Sequence, residues 1–578
     1  MKKLPIGIDD FKRIIKDDYY YIDKTKFIES VIDDGAVVKL FTRPRRFGKT
    51  LNMSMLKYFF DISECEENRK LFKNLYVENS SVFIEQGKYP VIFVTMKGIK
   101  GNSWEECLKR LKEMIKDLYS EFLFIRENLN IIEQRDFDKI VFMENNGNFE
   151  GSLKYLTSFL KKYYDKDVIL LIDEYDAPLI NAYEYGYYEE ALTFFKNFYG
   201  DVLKTNSNLK MGVLTGIVRI AKAGIFSDLN NLEVHTILDK EYDECFGVLE
   251  LEVEKALKDY NIEYKVDEVK EWYDGYRFGD IDIYNPWSIL NYLKYKELET
   301  YWIDTSGNYL IKDILKLADE ETFEKLNMLL MGKNIVEEIT GKATLQEVLE
   351  AEDLWELLLF SGYLTICKKI ARNIYEVRIP NKEVKEFFAD SFIELSFGTN
   401  LTFRNLAKNL LNNKIDKFEK SLQDILLKYM SFYDISNIEK VYHCFILGLM
   451  IHLEGKYIII SNGEGGLGRY DIAIKPLNKH LRGYILEFKV AKNEETLESK
   501  ASEAVEQIKT KKYYLEFEKS GIKNMSFIGL AFYKKLVKIK SFEYEKKWDR
   551  RIYEIYFNFT NDTFFTSLYG KRKSTRYP

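Results

Sequence analysis

The chain has 578 residues, 86 Lys and Arg against 92 Asp and Glu, a net charge of −6, and 46% hydrophobic residues. At ~100–200 residues per domain this length predicts roughly three or four domains, with ample core. Only 8 prolines and 31 glycines exclude collagen-like, linker-rich and disordered classes, and the acidic balance excludes a globally basic nucleic-acid coat while leaving room for a local basic groove.

The N-terminus, MKKLPIGIDDFKRII, has a basic start but no apolar stretch of a secretory signal. Apolar runs then alternate with amphipathic stretches over residues 1–240. Val37–Thr42, Tyr89–Thr95, Val168–Ile172 and Lys210–Thr215 predict buried strands, and Trp104–Phe122 and Gly151–Tyr164 predict helices between them. Strand, helix, strand at this spacing predicts a parallel α/β sheet. Residues 241–440 read as mainly helical. Within them, near 345–390, AEDLWELLLFSGYLTICKKIARNIYEVRIPNKEVKEFF reads as helix, turn, strand, turn, strand, helix. That succession is the pattern of a winged helix, or of a helical connector with one hairpin. Residues 441–578 predict an apolar helix at Val441–Leu453 and strands at Lys456–Ser461, Tyr470–Lys475 and Gly483–Val490. A charged helix at Glu494–Lys519 and a strand at Met525–Tyr533 complete a separate α/β unit. The longest apolar run, near Cys444–Ile451, falls short of the ~20 residues that cross a bilayer. Five dispersed cysteines (Cys65, Cys107, Cys245, Cys367, Cys444) and four scattered histidines show no zinc-site spacing. These features predict a cytoplasmic protein with reduced thiols and no membrane partner.

A phosphate-binding constellation lies in VVKLFTRPRRFGKTLNMSMLKYFF, where a strand enters a turn, then Gly48-Lys49-Thr50, then an apolar-periodic helix. In such a loop, backbone N–H groups surround the phosphates, the Lys reaches the β and γ oxygens, and the hydroxyl holds Mg²⁺. Gly48, Lys49 and Thr50 fit those roles, and Arg46 and Phe47 immediately before them are expected to line the same nucleotide-binding turn. The general pattern has Gly where this chain has Arg43, and Pro44 stiffens the turn. Arg43, Arg45 and Arg46 are expected to offset the triphosphate charge or to pair with acids of a neighbouring domain. Downstream, DVILLIDEYD is a hydrophobic strand ending in Asp173-Glu174, the Walker B arrangement. Asp173 is expected to hold Mg²⁺ and Glu174 to polarise the attacking water. A third strand, KMGVLTG, ends in Thr215, a candidate sensor of the γ-phosphate. Arg219 follows, as an arginine finger or as a surface cation.

A second constellation lies in SNGEGGLGRYDIAIKPLNKHLRGYILEFKV. Asp471 starts one strand, and Glu487 and Lys489 share a face of the next because residues i and i+2 point the same way. Hairpin pairing brings Asp471 to Glu487, and two carboxylates at strand ends make a Mg²⁺ site with open water positions. Lys489 is then placed to position a water or to stabilise developing charge. The alternative is alternating charge on an exposed strand.

TRPRRFGKT, LLIDEYD, LTGIVRIAKAGIFSDLNN, WYDGYRFG and YNPWSIL together resemble the prokaryotic AAA-ATPase-like family fused to a PD-(D/E)XK nuclease-like domain. YYYIDKTKFI is similar to that family's N-terminal segment, and Arg43 follows its RPRR-x-GK-[ST] loop. The resemblance implies an N-terminal P-loop ATPase with a parallel sheet and a C-terminal α/β restriction-endonuclease-like domain, with ATP and Mg²⁺ as cofactors. GRYDI and EFK match the nuclease pattern, in which Glu464 and Gln507 are further candidates. Lys509–Tyr514, Tyr533–Lys540 and the tail GKRKSTRYP interleave basic and aromatic residues, which suits phosphate tracking and base stacking. The expected partner is nucleic acid, DNA before RNA, with defence against foreign DNA as the role the resemblance implies. The competing reading is a signalling or scaffold ATPase whose nuclease-like domain only binds.

Overall fold

The computed structural model describes residues 1–217, 226, 229–262, 265–302, 320–330, 332–341, 354–397, 400–429, 453 and 456–545. The chain separates into two compact units, Met1–Phe388 and Ala389–Pro578.

The first unit is built on strands β1 (Val38–Thr42), β2 (Val91–Thr95), β3 (Val168–Asp173), β4 (Leu209–Gly216) and β5 (Leu232–His235), in the order β2-β3-β4-β1-β5. Every pairing is parallel. Parallel neighbours need crossovers, and the helices Lys49–Phe60, Trp104–Glu121, Ser152–Tyr164 and Tyr188–Leu203 lie in these connections. Covered on both faces, β1 and β3 are buried along their whole length, which is why they read as apolar runs rather than alternations. The helix Trp104–Glu121 starts at Ser103, whose hydroxyl accepts from the Glu106 N–H, and it turns Cys107, Leu111, Ile115 and Leu118 inward at helical spacing. Burying Leu111 and Leu118 stabilises the fold by ~1.5–3 kcal/mol each. The four expected strands are present to within two residues. The fifth, β5, is a short edge strand reading LEVH, whose Glu and His break any apolar run.

Two further sheets complete this unit: the hairpin β6 (Tyr276–Phe278) and β7 (Ile281–Ile283), and an antiparallel sheet of β8 (Ile335–Glu338), β9 (Thr365–Ala371) and β10 (Ile374–Arg378), ordered β8-β10-β9. The helix Leu354–Phe360, strands β9 and β10, and the helix Lys382–Phe397 follow the expected succession. Strand β8 adds a pairing that the local sequence did not suggest. Residues 345–353 of the winged-helix expectation lie outside the described residues, as do Arg219, the predicted helix at 441–452 and the tail at 570–578.

In the second unit, β11 (Tyr457–Ser461), β14 (Ile472–Pro476), β15 (Gly483–Val490), β16 (Asn524–Tyr533) and β17 (Leu536–Glu545) form one sheet in that order. A small ribbon, β12 (Glu464–Gly465) with β13 (Gly468–Arg469), sits in the connection from β11 to β14. β15 and β16 are parallel, joined through the helix Leu497–Thr510. This helix lies so close to β16 that a Cβ at Gly529 would meet the Ala501 carbonyl at 2.2 Å, so only glycine fits there.

Candidate functional site

The carboxyl ends of β1, β3 and β4 bring the phosphate loop, Asp173 and Thr215 together, the place where open α/β sheets bind ligands. Gly48 adopts φ +83° and caps the helix Lys49–Phe60, with open space around the position of a Cβ. Its left-handed backbone lets the turn run directly into the helix N-terminus. Lys49 is buried, and its ammonium donates to the carbonyls of Arg43 at 2.9 Å and Pro44 at 2.8 Å. Burial pulls its pKa down, and the facing Glu174, Asp176 and Asp173 oppose that shift. The Thr50 hydroxyl donates to Asp173 Oδ2 at 2.8 Å, and the Thr215 hydroxyl donates to Asp173 Oδ1 at 2.6 Å. Asp173 is thus held from both sides on a buried strand end. Thr215 is itself buried, so in this structure it orients Asp173.

Glu174 follows with φ +53°, an uncommon backbone for a residue with a side chain. The strand stops there because the Tyr175 N–H donates back to the Thr215 carbonyl at 2.9 Å, and the Ile217 N–H donates to Asp176 at 2.7 Å. Burial, and then Asp173, push the Glu174 pKa up. A half-buried carboxyl of raised basicity beside a phosphate-binding loop suits proton acceptance from water.

The arginines of the loop divide. Arg43 does not lie beside a triphosphate: it is fully buried, donates to the carbonyls of Thr42 and His235 at 2.9 Å each, and sits over the rings of Phe246 and Phe278. This corrects the expectation that it offsets phosphate charge, because its guanidinium is spent inside the protein. Arg46 is exposed and stacks its guanidinium 4.4 Å from the Trp287 ring. The Phe47 side chain is an anchor rather than a phosphate contact, packed on Tyr276 at 5.0 Å and Phe278 at 5.2 Å. The Trp302 indole donates to the Arg45 carbonyl at 3.1 Å. These braces come from WYDGYRFG, YNPWSIL and Trp302. The two motifs were visible in the sequence without a role, and nothing local marked Trp302.

In the second unit, the register pairs Ile472 with Leu486, which sets Asp471 opposite Glu487. Asp471 Oδ2 accepts from the Phe488 N–H at 2.7 Å. Lys489 lies 3.5 Å from Glu487 Oε1 and donates to Gln507 Oε1 at 2.6 Å. The Gln507 amide donates to Glu487 Oε1 and lies 3.1 Å from the Tyr513 hydroxyl. Gln507 therefore stands between the carboxylate and the lysine. Burial, and then Asp471, push the Glu487 pKa up to about 7. Glu487 is 4% exposed, and its Oε2 has no hydrogen-bond partner among the described residues. A buried, orphaned carboxylate oxygen opposite a second carboxylate fits a divalent metal ion.

Glu464 is exposed on the ribbon opposite Arg469, with no hydrogen bond or ion pair to the carboxylate pair. Base stacking by the Lys509–Tyr514 segment is corrected as well. Tyr513 is buried in the core beside Tyr470, and the half-buried Tyr514 stacks on Phe527 at the edge of that core. Lys538 and Lys540 are paired with Glu419 and Glu498.

Fold and geometry define a P-loop nucleotide-hydrolase type of unit followed by a nuclease-like unit. Residues 5–226 match the family described as predicted AAA-ATPase, and residues 437–542 match the PD-(D/E)XK nuclease superfamily. An AAA-ATPase-like domain match is thus followed along the chain by a PD-(D/E)XK nuclease-superfamily match. It is similar to an uncharacterized protein in the vnfD 5′ region of Azotobacter chroococcum mcd 1, at 29% identity over 391 residues, 66% of this chain and 68% of that relative. No described helix is long and apolar enough to cross a membrane.

Proposed function

We propose that the protein hydrolyses ATP in its first unit and uses nucleotide state to control Mg²⁺-dependent cleavage of nucleic acid, DNA before RNA, in its second. Defence against foreign DNA is the biological setting of this reading. The observation that carries the cleavage step is the orphaned Glu487 oxygen facing Asp471 beside Lys489.

In the first unit, Lys49 would exchange its two loop carbonyls for β and γ oxygens, and the backbone around Gly48 would cradle the phosphates. Thr50 and Asp173 would hold Mg²⁺, with Thr215 fixing the Asp173 carboxylate. Glu174 would orient water and accept its proton. In the second unit, Asp471 and Glu487 would hold the ion, which when bound polarises a phosphate and acidifies a water. Lys489, held at 2.6 Å by Gln507, would stabilise charge developing on the phosphate.

The test is a cleavage assay on single-stranded, duplex and branched DNA and on RNA, with Mg²⁺ or Mn²⁺, with and without ATP. Wild type should cut DNA, Asp471→Ala should not, and Lys49→Ala should lose the response to ATP. Intact substrates throughout, with no binding, refute the proposal. Loss of cellular function in Lys49→Ala alone, with Asp471→Ala unaffected, supports a scaffold ATPase instead.

A further inference from the structure

A third cluster lies at the edge of the parallel sheet, among residues the proposed reactions do not use. Glu233 and His235 sit on β5 at i and i+2, so they share one face. Asp34 caps the helix Lys26–Asp33 beside them. The ligand atoms of the three side chains lie within 4.8 Å of one another.

His235 is 3% exposed, and its Nε2 has no hydrogen-bond partner among the described residues, although it lies 3.3 Å from Asp34 Oδ2. A buried imidazole nitrogen left unsatisfied costs ~1–3 kcal/mol, so its retention points to a ligand. Nitrogen and oxygen atoms bound tetrahedrally to zinc at about 2.0–2.2 Å stand roughly 3.4 Å apart. The His235–Asp34 contact already has that separation. Glu233 is exposed and its side chain makes no hydrogen bond or ion pair with another described residue, so its carboxylate can rotate onto the same point.

We propose that Asp34, Glu233 and His235 form a binding site for a divalent transition-metal ion of the zinc class. Imidazole with carboxylates selects such an ion over Mg²⁺, which prefers oxygen ligands alone. The Tyr242 hydroxyl donates to Asp34 Oδ2 at 2.6 Å and orients it, as outer partners of metal ligands do. The Lys39 ammonium lies 3.7 Å from the other oxygen, Oδ1, which also accepts from the Ala36 N–H at 2.9 Å. This leaves Oδ2 as the ligand atom. The ion would clip the helix end to the edge strand. Because Arg43 donates to the His235 carbonyl, the clip would also steady the start of the phosphate loop.

The test uses the full-length chain, stripped with chelator and carrying Asp471→Ala and Glu487→Ala to silence the other candidate metal site. Zn²⁺ is titrated against a chromogenic chelator in excess Mg²⁺, and Co²⁺ is followed by its visible spectrum. One equivalent of Zn²⁺ is expected. Glu233→Gln should weaken it at least tenfold, and His235→Gln should abolish the Co²⁺ spectrum. Glu233 is exposed, so that variant keeps its circular dichroism and the result stands even where His235→Gln fails to fold. No bound Zn²⁺, or unchanged affinity in Glu233→Gln, overturns the proposal.

Discussion

Replacing Glu487 by Gln separates a metal-binding carboxylate from a merely structural one. Without metal, the Glu487 carboxyl titrates at about 7 rather than 4.5, because burial and the neighbouring Asp471 disfavour its charge. A displacement of that size corresponds to about 3 kcal/mol. A carboxyl whose folded pKa is raised contributes its full stability below the unfolded value of 4.5 and loses it as pH climbs through 7. Gln is neutral at every pH and keeps an acceptor for the Gln507 amide. At pH 8 in chelator, Glu487→Gln should therefore stabilise β15 by at most about 3 kcal/mol, and the gain should fade towards pH 5. Mg²⁺ at a hundred times its Kd stabilises a folded site by about 2.7 kcal/mol, so adding it should protect wild type, bring it close to the variant, and leave the variant unchanged. The assay is hydrogen exchange of peptides covering Gly483–Val490 in the full chain, comparing variant and wild type at each pH. Up to roughly a hundredfold slower exchange in the variant is expected at pH 8 without metal. Equal protection at pH 8 without metal, or equal Mg²⁺ protection of variant and wild type, would refute the placement of Glu487 in a metal site.

Glu174→Gln should bind ATP with wild-type affinity while phosphate release falls ~10²–10⁴-fold, read by calorimetry and a phosphate-release assay. Trp287→Ala removes the surface under the Arg46 guanidinium, and a loss of ~0.5–1 kcal/mol should weaken ATP binding about two- to fivefold by calorimetry. Phe47→Ala empties a fully buried site between Tyr276 and Phe278. It should cost ~3–5 kcal/mol in denaturant unfolding of the first unit. Gln507→Ala leaves the Lys489 ammonium without its 2.6 Å acceptor. It should reduce metal-dependent cleavage, with the loss recovered in part by Gln507→Glu and ATP hydrolysis unchanged.

Four strands of the first sheet were legible because they are mostly buried and read as largely apolar runs, β1 and β3 along their whole length and β2 and β4 with one exposed residue each, Thr95 and Lys210. Strand β5 was not, because an edge strand of four residues carrying Glu233 and His235 has no such run. Its pairing with β1 is decided by tertiary contact. The same contrast holds at the sites. Asp471 and Glu487 were readable as partners because a hairpin register follows from strand alternation. Tyr513 and Tyr514 misled because their basic neighbours suggest a surface, whereas packing buries Tyr513 in the core and lays Tyr514 against Phe527 at its edge. Trp302 was illegible because its bond to the Arg45 carbonyl spans 257 residues of sequence.

The arginine at the head of the phosphate loop shows why local pattern and local geometry diverge. Glycine is the general choice at that position, which suggests a need for free backbone. Here the left-handed conformations fall later, at Arg46 (φ +66°) and Gly48 (φ +83°), and Arg43 is not among the residues with positive φ. Position 43 is therefore free to carry a side chain, and that side chain does structural work. It meets the carbonyls of Thr42 and His235 and lies 4.9 Å from the Phe246 ring. Burial pulls its pKa to about 10, still well above neutrality, so it remains a cation inside the fold. A buried charge is tolerable only where carbonyls and ring faces replace water. The Arg43 carbonyl in turn accepts from Lys49 at 2.9 Å, so the backbone that this side chain anchors also holds the lysine. The arginine thus fixes the stretch of loop backbone on which the Lys49 ammonium rests.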